Sequence, residues 1–241
     1  MKPQSDLHSV DHISWTEIST ISSLPTSMGR TEKILSIDPN NPENVTRLAK
    51  MEKGFRTYDL IRRPFWEEIF VLKGSLVDEG NKVIAEEGYY CCRHPGMPHG
   101  PFYYPEECIA LEISYVPKKG IYKPQTDFHS IEDIPWTPIG DDTSSAKGEG
   151  ITEKILSIDP NNPENVTRLV RLEKGVRTGA VSLSHSFWEE VLVLKGHMLD
   201  EGNKLEVKKG YYCCRHPGMP HGPFYIVDET VSFEIHYKPK E

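Results

Sequence analysis

The sequence predicts an all-β protein built as two tandem antiparallel sandwiches or barrels. Three observations carry this. The chain repeats itself: residues 31–48 and 152–169 share the eighteen letters TEKILSIDPNNPENVTRL, and residues 88–103 and 210–225 share the sixteen letters GYYCCRHPGMPHGPFY. Its apolar runs are short, rich in β-branched and aromatic residues, and punctuated by 18 Gly and 19 Pro. No long stretch shows the period of an amphipathic helix.

The elements follow in order. The lead-in HSVDHISWTEI at 8–18 matches HSIEDIPWTPI at 129–139 with an offset of 121, which becomes 122 after a one-residue insertion between Thr178 and Phe187. NVTRLAKMEKG alternates Val45, Arg47 and Ala49 against Thr46, Leu48 and Lys50, then ends at Gly54. FWEEIFVLKGSLVDEGNK reads as a strand, a Gly turn, a short strand and a second turn. GYYCCRHPG is a strand stopped by Pro-Gly, and ECIALEISYVP alternates Ile109, Leu111, Ile113 and Tyr115 against the rest. Two domains are expected, 1–120 and 121–241, joined by a linker at 118–130. GDDTSSAKGEG at 140–150 reads as an exposed mobile turn.

Composition narrows the function. Of 241 residues, 37% are hydrophobic and 27% charged, an ordinary globular balance. With 28 basic against 36 acidic residues the net charge is −8, which disfavours a nucleic-acid partner. No apolar run approaches the roughly 18–20 residues of a membrane span, and the N-terminus lacks a signal peptide's apolar core, so no membrane partner and a cytoplasmic location are expected. Five cysteines, with no C-x-x-C spacing, indicate neither a disulfide framework nor a zinc knuckle. The partner expected is a small-molecule substrate, for a monomer or homo-oligomer.

The chemistry concentrates in two stretches. His185 and Glu189 lie four apart beside a strand in which alternate residues share a face. Parity carried back through Ser186 puts His185 with Glu189, Val191 and Val193. Downstream, Gly210-x5-His216-x-Gly218-x2-His221 closes one strand and opens another, and a closed barrel brings His221 back beside Glu189. Two imidazoles and a carboxylate suit non-haem Fe(II), Mn or Ni with open positions for substrate and O₂.

These residues resemble the cupin pattern, G-x5-H-x-H-x3–4-E-x6-G followed by G-x5-P-x-G-x2-H. Glu67-x6-Gly74 and Glu189-x6-Gly196 fit the end of the first motif. Gly88-x5-His94-x-Gly96-x2-His99 and its twin at 210–221 fit the second, with His in place of Pro. The chain thus resembles a bicupin, two fused jelly-roll barrels. I-P-W-T-P and E-E-x-x-V-L-K-G-x-x-x-D-E-G resemble the ChrR-like cupins and 2,4'-dihydroxyacetophenone dioxygenase. The resemblance implies a divalent metal, Fe(II) first, with Mn, Ni or Zn as alternatives. It implies His185, Glu189 and His221 as ligands in the second copy, and Glu67 and His99, with His94 in reserve, in the first.

The departures from the pattern predict asymmetry. The H-x-H pair becomes Leu183 and His185 in the second copy, but Ile61 and Arg63 in the first. An Arg63–Glu67 ion pair would neutralise that carboxylate without metal. Other residues carry plainer expectations. His216 and Tyr225 are candidate proton carriers. Buried cysteines and Trp66 and Trp188 read as packing, while His197, with Ser75 at its place in the first copy, reads as solvent-exposed, and His236, matching Ser114, as equally without a role. Three functions are consistent with the pattern: a metal-dependent oxygenase acting on a small carbonyl or phenolic compound, an isomerase, lyase or decarboxylase in the same site, and a non-enzymatic sensor. Imidazoles titrating near their usual value place the loss of metal near pH 6.

Overall fold

The computed structural model describes residues 1–17, 29–116, 122–139 and 149–238. In these, strands make up every extended element and the only helix is one 3-10 turn at Val10–His12. Among the described residues no helix is long and apolar enough to cross a membrane. The chain forms two compact units: Met1–Pro3, Ile13–Pro117 and Gln125–Asp133 in one, and Gln4–His12, Lys118–Pro124 and Ile134–Glu241 in the other.

In chain order the strands are β1 (Ser5–Ser9), β2 (Thr16–Glu17), β3 (Arg30–Asp38), β4 (Asn41–Met51), β5 (Trp66–Lys73) and β6 (Ser75–Asp78). Then come β7 (Val83–Glu86), β8 (Tyr89–Arg93), β9 (Phe102–Tyr103), β10 (Cys108–Tyr115), β11 (Thr126–Ser130) and β12 (Thr137–Pro138). The rest are β13 (Ile151–Ile158), β14 (Val166–Leu172), β15 (Trp188–Asp200), β16 (Leu205–Lys208), β17 (Tyr211–Arg215) and β18 (Phe224–Tyr237).

The first unit holds an antiparallel sheet in the order β11-β8-β5-β10-β4-β3-β2 and a small sheet β7-β6-β9. The second unit holds β1-β17-β15-β18-β14-β13-β12, with β16 paired to β15. The expected cut near residue 120 is therefore not how the chain divides. The predicted linker at 118–130 contains β11, which pairs with β8, while β1 from the N-terminal copy pairs with β17. Each of these segments buries one apolar side chain, Phe128 or Leu7, and covers the outer edge of its neighbour. Residues 118–121 of that linker, and 140–148 of the predicted mobile turn, lie outside the described residues.

Each core sits between sheet faces. In the first unit Val71, Ala85, Cys91 and Cys108 have no exposed surface; in the second, Val207, Cys213 and Ile226 have none. Burying each larger aliphatic side chain contributes about 1.5–3 kcal/mol. The alternation read in β10 is between two buried faces: Leu111 and Ile113 on one, Cys108 and Ala110 in the cluster on the other. The glycine seven residues after Glu67 and after Glu189 is required. Gly74 and Gly196 have φ of 73° and 96°, and a Cβ would stand 2.0 and 2.3 Å from the carbonyl oxygens of Glu107 and Glu229.

Candidate functional site

A row of three cross-strand neighbours organises each unit. Glu189 on β15 pairs with Arg215 on β17 and with His236 on β18. Glu67 on β5 pairs likewise with Arg93 on β8 and Ser114 on β10. Directly paired residues share a sheet face, so each row presents its side chains together. Glu68 and Glu190, one residue on, face the other way. Tyr90 and Tyr115 donate hydrogen bonds of 2.6 Å to Glu68, while Tyr212 and Tyr237 donate at 2.5 and 2.6 Å to Glu190.

In the second unit the structure brings His185, Glu189 and His221 together. Their donor atoms lie within 4.8 Å of one another. The two Nε2 atoms are 3.0 Å apart, and each is 3.9 Å from an oxygen of Glu189. His221 Nδ1–H donates to the Met219 carbonyl at 3.2 Å. A carbonyl cannot donate, so this bond places the proton on Nδ1 and turns the Nε2 lone pair toward His185. The 3.0 Å spacing is that of two cis ligands of an octahedral ion with bonds of about 2.1 Å. The site's chemistry therefore fits a divalent metal.

Glu189 is already tied down. Its Oε2 accepts a 2.8 Å bond from Arg215, and its Oε1 lies 3.2 Å from His236 Nε2. The His236 N–H is not aimed at that oxygen, so the contact is electrostatic rather than a directed hydrogen bond. Burial alone would raise the Glu189 carboxyl; the His236 ring and the Arg215 charge overcome it and hold the group well below the usual carboxylate range. Glu189 is thus an anion at any working pH, and its two oxygens retain lone pairs for a further partner.

The imidazoles go the other way. Burial drives His185 down to about 4, with His221 and His236 opposing its charge and Glu189 favouring it. Burial and Arg215 also lower His221. Both rings are held below the ordinary imidazole value, so the expected loss of metal near pH 6 moves to lower pH.

The surrounding cavity has a volume of about 70 Å³. Leu183, where the cupin pattern has a histidine, lines it with Leu172, Val191, Met198 and Phe224. Arg168 and Glu234 form part of its polar side, joined at 3.0 Å, with Glu153 at 2.9 Å from the same guanidinium.

Several expected residues stand elsewhere. His216 and His94 do not reach the clusters; their rings pack on Trp188 and Trp66, with centroids 3.9 and 4.0 Å apart. Tyr225 is 40% exposed and does not line the cavity. The parity counted from His221 crosses the Gly222–Pro223 turn, and β18 begins beyond it with Phe224 facing in. His197 is half-buried, 3.9 Å from Glu206, rather than solvent-exposed. All five cysteines are buried and unbridged, and burial pushes Cys91 and Cys213 up to about 12, consistent with packing. His236, read as having no role, is 2% exposed and sits against Glu189. The available signal was its match to Ser114 across otherwise repeated sequence.

The first unit differs. Glu67 and His99 approach to 3.7 Å, and His99 Nδ1–H donates to Met97 at 3.0 Å, as in the second copy. Among the described residues no third metal-ligating side chain joins them. The cation on Glu67 is Arg93, at 3.3 Å, not Arg63. Arg93 comes from the neighbouring strand in register, whereas Arg63 precedes β5, outside its alternation.

Comparison with known proteins agrees with this geometry. Residues 124–240 match the ChrR Cupin-like domain. No curated protein matches the chain significantly. Among solved structures, a candidate dioxygenase from Nostoc punctiforme has a TM-score of 0.81 at 14% identity, covering 97% of this chain and 82% of that one. A cupin 2 conserved barrel protein from Leptotrichia buccalis has a TM-score of 0.61 at 14% identity, covering 98% of each chain. The pirin YhhW of Escherichia coli, in complex with nickel(II), has a TM-score of 0.62 at 13% identity and full coverage of both. The match assigns residues 124–240 to the ChrR Cupin-like domain, and the solved neighbours show that the chain as a whole has the cupin fold.

Proposed function

We propose that the chain is a bicupin oxygenase of the dioxygenase type, acting on a small carbonyl or phenolic compound at a divalent metal, Fe(II) first, held by His185, Glu189 and His221. The convergence of these three donor groups on one apolar cavity carries this reading. When bound, the metal supplies Lewis acidity and open positions for a chelating oxygen pair and O₂. The protein's part is positional. Arg215 and His236 hold Glu189 anionic and oriented, and the Met219 carbonyl fixes the His221 tautomer. Leu183, Met198 and Phe224 keep the reacting end of the substrate out of water.

The isomerase, lyase or decarboxylase reading needs a proton carrier. His216 and Tyr225, the expected carriers, lie outside the cavity, which favours the oxygenase. The test is oxygen uptake by protein purified without a metal-affinity tag, reconstituted in turn with Fe, Mn, Ni and Zn, over a panel of small hydroxyketones and phenols. Uptake matched to substrate loss, and abolished in Glu189→Ala, supports the oxygenase. Substrate loss without uptake supports the lyase class. Stoichiometric metal with no turnover supports the sensor.

A further inference from the structure

The first cavity is not merely a damaged copy of the second. It has a volume of about 40 Å³ and is lined by Arg30 and Arg63 as well as Arg93. The second copy has Ile151 and His185 at the positions of Arg30 and Arg63.

The cavity's two carboxylates already have cations. Glu67 pairs with Arg93 at 3.3 Å, and Glu112 pairs with Arg47 at 2.6 Å. The same pairing in the second unit joins Glu189 to Arg215 and Glu234 to Arg168. Arg93 also stands 3.7 Å from Asp78 and Asp127, and Arg47 3.0 Å from Glu32, so these two cations are engaged and Arg30 and Arg63 are cations that the second unit lacks. Among the described residues neither guanidinium has a carboxylate within 4.0 Å or a hydrogen-bond partner. Arg93, 1% exposed, also leaves its Nε and Nη2 without a hydrogen bond.

We propose that this cavity is an anion site, taking the carboxylate of a small organic acid between Arg30 and Arg63 where the second unit takes a metal. The planar forks of two half-buried guanidiniums match the two oxygens of a carboxylate. Nearby groups fall in line with cationic surroundings. Burial lowers His99, and Arg93 and Arg63 lower it further against Glu67, so its ring adds no charge. Burial would raise Glu112, but Arg47 and Arg30 keep it low. Ile61, Ile69, Leu76 and Phe102 close in around the rest, so the acid has a short apolar body. This site stands independently of the oxygenase reading.

The test is isothermal titration calorimetry on the full chain stripped of metal with EDTA, at constant ionic strength. The probes are acetate and malonate, with acetamide as the neutral isostere. Saturable heat for either acid and none for acetamide supports the site. Arg30→Ile and Arg63→His, which install the second copy's own residues, should each weaken binding about tenfold or more. Equal heat with acetamide, no heat with either acid, or binding that survives both substitutions would overturn it. The acetamide comparison uses the wild-type protein and needs no variant to fold.

Discussion

Glu189 on β15 lies directly across the sheet from His236 on β18, with His236 Nε2 3.2 Å from Glu189 Oε1. The first copy sets Ser114 against Glu67 at the same place. The unit with the imidazole behind its glutamate is also the unit with a complete His-Glu-His cluster. His236 is not one of the three converging donors. It sits behind Glu189, with Glu234 3.6 Å on its other side, where it can set the carboxylate's charge and direction.

His236→Ser, which copies the first unit, should therefore weaken metal binding about 10- to 100-fold, the usual effect of removing a group that supports a ligand from behind. Competition against a chelating dye would measure it. Unchanged affinity would reduce His236 to a filler.

Metal should partition unequally between the units. Elemental analysis should find about one divalent ion per chain, removed by Glu189→Ala and by His221→Ala and retained in Glu67→Ala. Equal loss from Glu67→Ala and Glu189→Ala would mean that both units bind.

Arg63→His tests what the first unit lacks. The substitution removes one uncompensated cation and places an imidazole four residues before Glu67, as His185 stands before Glu189. Metal content should rise from about one toward about two ions per chain. A rise that vanishes in Arg63→His combined with His99→Ala would locate the new ion. No rise would show that a His at this position does not complete the first site.

Stability of the metal-free protein should depend on pH below neutrality. His185 has an ordinary value of 6.5 and is held down to about 4 in the folded chain. Between these values the unfolded state binds more protons, so stability is full above about 6.5, falls as the pH drops toward about 4, and levels off below. The gap corresponds to roughly 3 kcal/mol at the low-pH limit for this one group. Urea unfolding from pH 7 to 4 would measure it, and His185→Ala should flatten the slope.

Tyr225→Phe should leave turnover and metal content unchanged, with stability within about 0.5 kcal/mol. His216→Ala should leave metal content unchanged but cost about 1 kcal/mol through its lost stacking on Trp188. Thermal unfolding and metal analysis together separate these outcomes from a catalytic role. A loss of turnover in Tyr225→Phe with metal retained would return the residue to the reaction.

The all-β class and the asymmetry at Arg63 and His185 were legible in the sequence, because both rest on local pattern: strand alternation, turn residues and a short divergent stretch between long repeated ones. The His185–Glu189–His221 set was legible through motif spacing. Tertiary structure alone decided the partners. Arg215 and His236 meet Glu189 because β17, β15 and β18 pair in one register, and no spacing within a strand reports the register between strands far apart in sequence. The same limit misassigned Glu67 to Arg63 instead of Arg93, and placed β11 in a linker although its sheet belongs to the first unit. Tyr225 turned outward because parity holds only along continuous extended backbone, and the Gly222–Pro223 turn interrupts it. Alternation is a property of one strand; charge pairing is a property of the sheet.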